Sequence, residues 1–311
     1  MTGVRLLLTL GENWTMTPPR DLRALVRQAV DAEAAGFDGV VVSEHVVLGP
    51  AAGAGGRPAN PRDWAGPGNQ DPDFPWPSSI VLLSAVAAAT TRLRLVAGAV
   101  IGPLRHPLLL AKDLASLDLL SEGRLVVMPT VSWQREEYEA MGVPFERRGD
   151  ILDEQLEIWA DAWNGSPTSF AGKHFRFDDV YVEPQPFRPG GPVLWFGGGS
   201  VNPRLVARLA RYGSGFMPMG RVTPEDRQTV ADAMAAAGRD VSELELVGGV
   251  GGRFTDATGV ADLDQALASI PRQLAAGIRS IVVKPSQFTD DGADLGAFCR
   301  QVVAKVAALT A

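Results

Sequence analysis

Along this chain, short runs of consecutive apolar residues alternate with stretches in which apolar residues recur every three or four positions. The runs Leu93 to Gly98 and Arg124 to Met128 are apolar on both faces, as a parallel strand covered by helices requires. Between them lie a turn through Gly102-Pro103 and His106-Pro107 and a helical stretch marked by Leu110, Leu114 and Leu117. This is one strand-helix-strand unit, and its rhythm runs the length of the chain. Val4 to Leu10 and Phe37 to Ser43 predict the first two strands. The helix between them opens at Thr17-Pro18-Pro19, a hydroxyl cap followed by proline, and closes at Gly36. Ser79 to Ala89, Trp133 to Met141 and Arg147 to Trp163 predict further helices, and Ser169-Phe170 with Phe175 to Phe177 a small hairpin outside the rhythm. Strands follow at Val193 to Phe196, Gly215 to Pro218, Leu244 to Gly248 and Ile278 to Lys284. Their helices run through Leu205 and Leu209, then over Glu225 to Ala237, Ala261 to Ala275 and Leu295 to Leu309. About eight strands, each followed by a helix, is the count of a (β/α)8 TIM barrel, an α/β fold. No repeat or linker divides the chain, so residues 1–311 are predicted to form a single barrel domain, with a doubly wound open sheet as the alternative.

Composition narrows the function more than the fold. With 46% hydrophobic and 21% charged residues the chain is an ordinary globular one, long enough to bury a large core. A net charge of −7 speaks against nucleic acid and anionic membranes as general partners, which leaves small molecules. The apolar run near residue 4 is too short for a signal peptide or a membrane span. Cys299 is the one cysteine, so no intrachain disulfide can form. A reducing, cytoplasmic setting is the expectation, with Cys299 a small core residue. Residues 46–77 hold seven prolines and six glycines with no periodicity, long for a structureless connection. Two readings stand: a lid whose Trp64, Phe74 and Trp76 close over something, or a surface loop with those aromatics tucked onto the body.

Three constellations sit at predicted strand ends. Glu44-His45 closes the second strand ahead of the long loop, where an imidazole could exchange a proton with a substrate and a neighbouring carboxylate could set its tautomer. A hydrogen-bonded structural pair is the other reading. Ala97-Gly98-Ala99 ends the third strand without large side chains, so a planar ring could approach the backbone, and plain tight packing would look the same. Gly197-Gly198-Gly199-Ser200, between a strand and a helix, could present amides and a hydroxyl to an anion, with Arg204 or Arg208 adding charge. The three histidines, His45, His106 and His174, are not at metal-ligand spacing, and His106-Pro107 reads as the start of a helix.

Several separated segments, in order, resemble the bacterial luciferase-like family of flavin- and deazaflavin-dependent oxidoreductases. They are SEH at 43–45, the run TTRLRL through PLRHPLLLAKDLASLDLLSEGRL from Thr90, W-x-x-EEYEAMGVPFERRGDILDEQLEIW from Trp133, SFAGKHFRF from Ser169 and PVLWFGGGS from Pro192. The similarity is nearest to the branch that uses coenzyme F420, with FMN as the alternative cofactor. It implies a luciferase-like barrel with insertions whose cofactor lies at the C-terminal ends of the strands. Glu44 and His45 would then be the catalytic pair. Ala97, Gly98 and Ala99 would support the ring, with a non-proline cis peptide at Gly98-Ala99, and Gly197, Gly198, Gly199 and Ser200 would hold the phosphate. Met128 and Thr130, in a Met-Pro-Thr-Val-Ser-Trp stretch where relatives tend to have glycines, would also meet the cofactor. Many deazaflavin enzymes carry Asp at position 44, and Glu is nearer the luciferase pattern. Relatives are often dimers, so a homodimer is expected.

Overall fold

β-branched residues and leucines dominate the short apolar runs, and these become strands, while the helical repeats lie between them. The computed structural model describes residues 3–310. The chain begins with β1 (Arg5–Thr9), α1 (Leu22–Ala35), β2 (Gly39–Val42), α2 (Ser79–Ala89) and β3 (Arg94–Ile101). It continues with α3 (Pro107–Leu120), β4 (Leu125–Thr130), α4 (Arg135–Ala140) and α5 (Arg148–Ala162), then a hairpin of β5 (Thr168–Ala171) and β6 (Arg176–Val180). β7 (Val193–Gly198), α6 (Pro203–Tyr212), β8 (Gly215–Pro218), α7 (Pro224–Ala236) and β9 (Glu245–Val250) follow. α8 (Leu263–Leu267), α9 (Ile270–Ala275), β10 (Ser280–Val283) and α10 (Leu295–Thr310) complete it. Among the described residues, eight strands close a barrel in the order β1-β10-β9-β8-β7-β4-β3-β2, while β5 and β6 pair apart from it. That is the predicted (β/α)8 count, and the predicted hairpin.

The chain divides into two compact units, residues 3–95 with 246–310, and residues 96–245. In the first, β1 lies parallel between β10 and β2, with Leu8 beside Val283 and Leu7 beside Gly39. A side chain at Gly39 would put Cβ 2.8 Å from Leu7 Cδ2 and 2.9 Å from the Arg94 carbonyl, so this position admits no larger residue. α1 packs on α10 and α2. In the second unit β7 lies parallel between β4 and β8, with Val127 beside Leu194 and Trp195 beside Gly215. α5 lays Leu152, Leu156 and Trp159, together with its C-cap residue Trp163, into the unit's core. The two indoles are satisfied there, Trp159 Nε1 donating to Pro107 O at 3.1 Å and Trp163 Nε1 to Ala111 O at 3.2 Å. Among the described residues, no helix is long and apolar enough to cross a membrane.

Local chemistry moved several boundaries. α1 is capped not by Thr17 but by Asp21, whose Oδ1 accepts from the Ala24 amide at 2.9 Å. Thr17 instead accepts from Gln28 Nε2 at 2.9 Å. The helix still ends at Gly36, whose φ of 99° is the left-handed value glycine takes without strain. The single helix expected over Ala261 to Ala275 is two, α8 and α9, because Pro271 has no amide to continue the helical ladder.

Candidate active site

In the first unit, the C-terminal ends of β10, β1 and β2 gather polar residues. The register sets Thr9 beside Val41 and Leu8 beside Val283, and alternation then puts Thr9, Ser43 and Lys284 on one face and Glu44 on the other. Glu44 accordingly reaches α2, where Ser79 Oγ donates to its Oε2 at 2.7 Å. Glu12, just past β1, is buried with a φ of 50° and accepts a short hydrogen bond from Ser43 Oγ. Lys284 is 1% exposed, donates from Nζ to the Asp63 carbonyl at 2.8 Å and lies 5.0 Å from the centre of the Trp64 ring. Burial pushes its ammonium below the usual lysine range, against the opposing pull of Glu12 and then Asp63. Asn13 joins two strand exits, donating to Thr9 O at 2.7 Å and accepting from the Ser286 amide at 3.2 Å.

His45 is half-buried beside this cluster in sequence, and its ring meets Trp76 edge-on with centroids 5.2 Å apart. Trp76 in turn meets Trp14 edge-on at 5.3 Å, and Trp14 stacks on Phe74 at 3.9 Å. Phe74 and Trp76 are thus tucked onto the unit's own aromatic residues, and Trp76 supplies a wall for the imidazole.

In the second unit the Gly98–Ala99 peptide is cis, as the family resemblance implies. Ala97 is buried, and Gly98 and Ala99 are half-buried. Gly98 lies inside β3, not at its end, because the strand runs on through the apolar Val100 and Ile101. β4 likewise extends through Met128, Pro129 and Thr130, so these residues are strand and the loop starts at Val131. Proline is tolerated there because its fixed φ suits extended backbone, and the β4–β7 pairing at Val126 and Val127 precedes it. The exit of β4 is tied to α4 by Tyr138, whose hydroxyl donates to Val131 O at 2.6 Å, and by Ser132 Oγ, which donates to Glu137 Oε2 at 3.2 Å.

The glycine run divides. Gly197 is demanded by packing, since a Cβ there would fall 2.0 Å from Met217 O and 2.6 Å from Met128 Cε. At Gly198 the nearest atom to such a Cβ is Ser200 O at 3.8 Å, and at Gly199 nothing lies within 4 Å. No neighbour requires glycine at 198 or 199. The run is not at a helix N-terminus, because Gly197 and Gly198 end β7 and α6 starts only at Pro203. Asn202 Oδ1 already accepts from the Leu205 amide of that helix at 3.1 Å. Arg204 and Arg208 are committed to α5, pairing with Asp153 at 3.0 and 2.7 Å. They are not loose charges for an anion.

Sequence reasoning named His45, Glu44, Gly98 and Gly198 but missed Glu12, Ser43 and Lys284. The lysine carried a signal: it is the charged residue that ends the otherwise apolar run SIVV. At the strand exits of a barrel, such a residue faces the end where these folds do chemistry.

The family model described as luciferase-like monooxygenase matches residues 1–252. Pyrimidine monooxygenase RutA of Escherichia coli (strain SMS-3-5 / SECEC) is 33% identical over 177 residues, 54% of this chain and 48% of that protein. The chain spans about half the length of the curated relatives it matches. Among solved structures, monooxygenase RslO1 from Streptomyces bottropensis superposes with a TM-score of 0.74 at 20% identity, covering 99% of this chain and 100% of that one. An F420-dependent secondary alcohol dehydrogenase gives 0.71 at 16% identity, covering 98% and 99%. At these identities the superpositions establish the fold alone.

Proposed function

The chain belongs to the luciferase-like monooxygenase family, and from that premise we propose that it moves a hydride between coenzyme F420 and a small organic substrate. Membership supports an oxidoreductase or monooxygenase; the deazaflavin is the finer step. That step is supported by the resemblance of the chain's separated segments, in order, to the F420-using branch. The observation that carries cofactor binding is the backbone at Gly198 and Gly199, left open although no packing contact demands glycine there.

These residues fit a group with a phosphate and a flat ring. Gly198, Gly199 and Ser200 would offer amides and a hydroxyl to the phosphate, and Ala97, Gly98 and Ala99 a surface without large side chains to the ring. Met128 and Thr130 would touch it from β4, and Gly197 would keep β7 close to β8. When bound, a deazaflavin supplies two-electron hydride chemistry. His45, steadied by the Trp76 edge, gives a proton to the substrate oxygen or takes one from it at an imidazole nitrogen. Glu44, fixed by Ser79, holds the end of β2 behind the imidazole.

Titrating the purified protein with F420 and FMN, each oxidised and reduced, while following absorbance and fluorescence, tests the reading. Micromolar F420 binding is expected, and micromolar FMN binding with none of F420 overturns it. An FMN-dependent monooxygenase is the second reading, favoured by Glu in place of Asp at position 44 and by the monooxygenase named among the relatives. A barrel that binds small molecules without redox chemistry is the third, favoured by Met128, whose side chain already packs against Gly197. Failure to bind either cofactor would select it. We also propose a homodimer, for which sedimentation at rising concentration should show twice the 33.0 kDa chain mass.

A further inference from the structure

The proposed reaction leaves unused the most heavily tied part of the long 46–77 loop. Asn60 Nδ2 donates to the carbonyls of Asp256 at 3.1 Å and Gly259 at 2.8 Å. Arg62 makes a two-pronged ion pair with Asp290, Nε to Oδ1 at 2.9 Å and an NH2 nitrogen to Oδ2 at 2.6 Å. Asp63 receives the Lys284 ammonium on its carbonyl at 2.8 Å, and the Trp64 ring lies over the same ammonium. A stretch of five residues is therefore gripped by side chains and carbonyls between positions 256 and 290. Elsewhere the loop closes on itself, the Gln70 amide donating to Ala52 O at 2.9 Å.

The grip by Lys284 differs in kind from the other two. Arg62, 8% exposed, meets its counter-charge directly in the carboxylate of the half-exposed Asp290, whereas the 1% exposed Lys284 ammonium has a single backbone carbonyl as its hydrogen-bond acceptor. A neutral donor would serve a single backbone carbonyl. The charge has a use because Glu12, itself buried, is the carboxylate whose charge acts on Lys284 most strongly. Glu12 also takes the hydroxyl of Ser43, two residues before His45. Asp63 and Trp64 thus contact Lys284, the strand register puts Lys284 on the same face as Thr9 and Ser43, and Ser43 in turn contacts Glu12 at the strand end that carries the imidazole.

We propose that Lys284 is a positioning residue, which fixes residues 60–64 of the long loop and, through Glu12 and Ser43, the exit of β2, so that loop and His45 are set in place together. The link to catalysis rests on the function proposed for His45; the link between loop and strand exit stands without it. Amide hydrogen exchange read by mass spectrometry on the full chain, without cofactor, tests it. Lys284→Met keeps the length and apolar stem of the side chain and removes its charge and donors. Exchange should quicken tenfold or more across 60–64 and also rise across 43–45, while amides of β1 and β10 keep their protection. Lys284→Arg should restore slow exchange in both segments. Arg62→Met should loosen 60–64 and leave 43–45 as it was, because its partner is Asp290 and it lies on no strand of the barrel.

Unchanged exchange at 60–64 in Lys284→Met overturns the proposal, as does a rise spread evenly over β1, β10 and the loop, which marks a lysine that merely stabilises the unit. If Lys284→Met does not fold, Trp64→Leu, at a partly exposed ring, removes the cover over the ammonium. Faster exchange at 60–64 then supports the proposal, and no change overturns it. Titration of the same variants with F420 and FMN separates the two ideas. Absence of binding in the unaltered chain sinks the proposed function and leaves the exchange result standing, whereas unchanged exchange sinks the role of Lys284 whatever binds.

Discussion

His45 and Gly198 are expected to fail in opposite ways. General acid–base help is typically worth about 10²–10⁴ in rate, so His45→Ala should lower turnover by about that factor while cofactor affinity moves much less. Gly198→Leu should weaken cofactor binding first, because a side chain there would cover backbone amides without disturbing proton transfer. Full turnover by His45→Ala on a verified substrate would make the residue structural. Gly197 is a different case from its neighbour. Its Cβ would lie 2.0 Å from Met217 O, and overpacking of this kind costs about 1–3 kcal/mol or more. Gly197→Ala should therefore lower the melting temperature by several degrees, whereas Gly199→Ala, with nothing within 4 Å, should not. Cys299 is buried, and burial pushes its thiol up to about 12, with Asp31 adding to the shift. A thiol reagent such as DTNB should leave it untouched in the folded protein and titrate one thiol after unfolding.

Elements are joined by side chains that stand in for missing backbone partners. Glu33, in the last turn of α1, accepts from the amides of Thr91, Arg92 and Leu93 at 3.0, 2.6 and 3.0 Å, and so holds the entry to β3. Burial alone would raise this carboxyl, but the amides of Arg92, Leu93 and Thr91 together outweigh it and hold it below the usual value of 4.5. A folded pKa below the unfolded one contributes stability that is present above about pH 4.5 and lost as pH falls through the folded value. Urea midpoints should fall on acidification through that window, and Glu33→Gln should remove part of the fall. The effect will be modest, since the group is only partly buried and is screened. At this scale the apolar runs were legible in the sequence, whereas their ends were not. β3, β4 and β7 all extend past the predicted ends, taking in Ala99 to Ile101, Pro129 with Thr130, and Gly197 with Gly198. Extended backbone at a strand exit depends on a neighbouring strand to pair with, and no local residue pattern announces that.

Across the whole molecule, the hydrophobic rhythm by itself determined the eight-stranded parallel barrel, the separate hairpin and the helices between. Each of those features is a local consequence of side-chain period, and local propensity and burial agreed. Single residues also spoke plainly where their chemistry is local: Gly36 ends α1, Pro107 opens α3 behind the His106 cap, and Cys299 lies in the core. Only the tertiary structure decided which glycines of 197–199 serve packing and which leave backbone open, because Met217 and Met128 come from other strands. It alone committed Arg204 and Arg208 to α5 and turned Glu44 toward Ser79. It alone brought Lys284 to Asp63, with Glu12 close enough to act on its charge, joining positions more than two hundred residues apart. Charge pairing and close packing are set by distance in space, and a pattern read along the chain carries no measure of that distance.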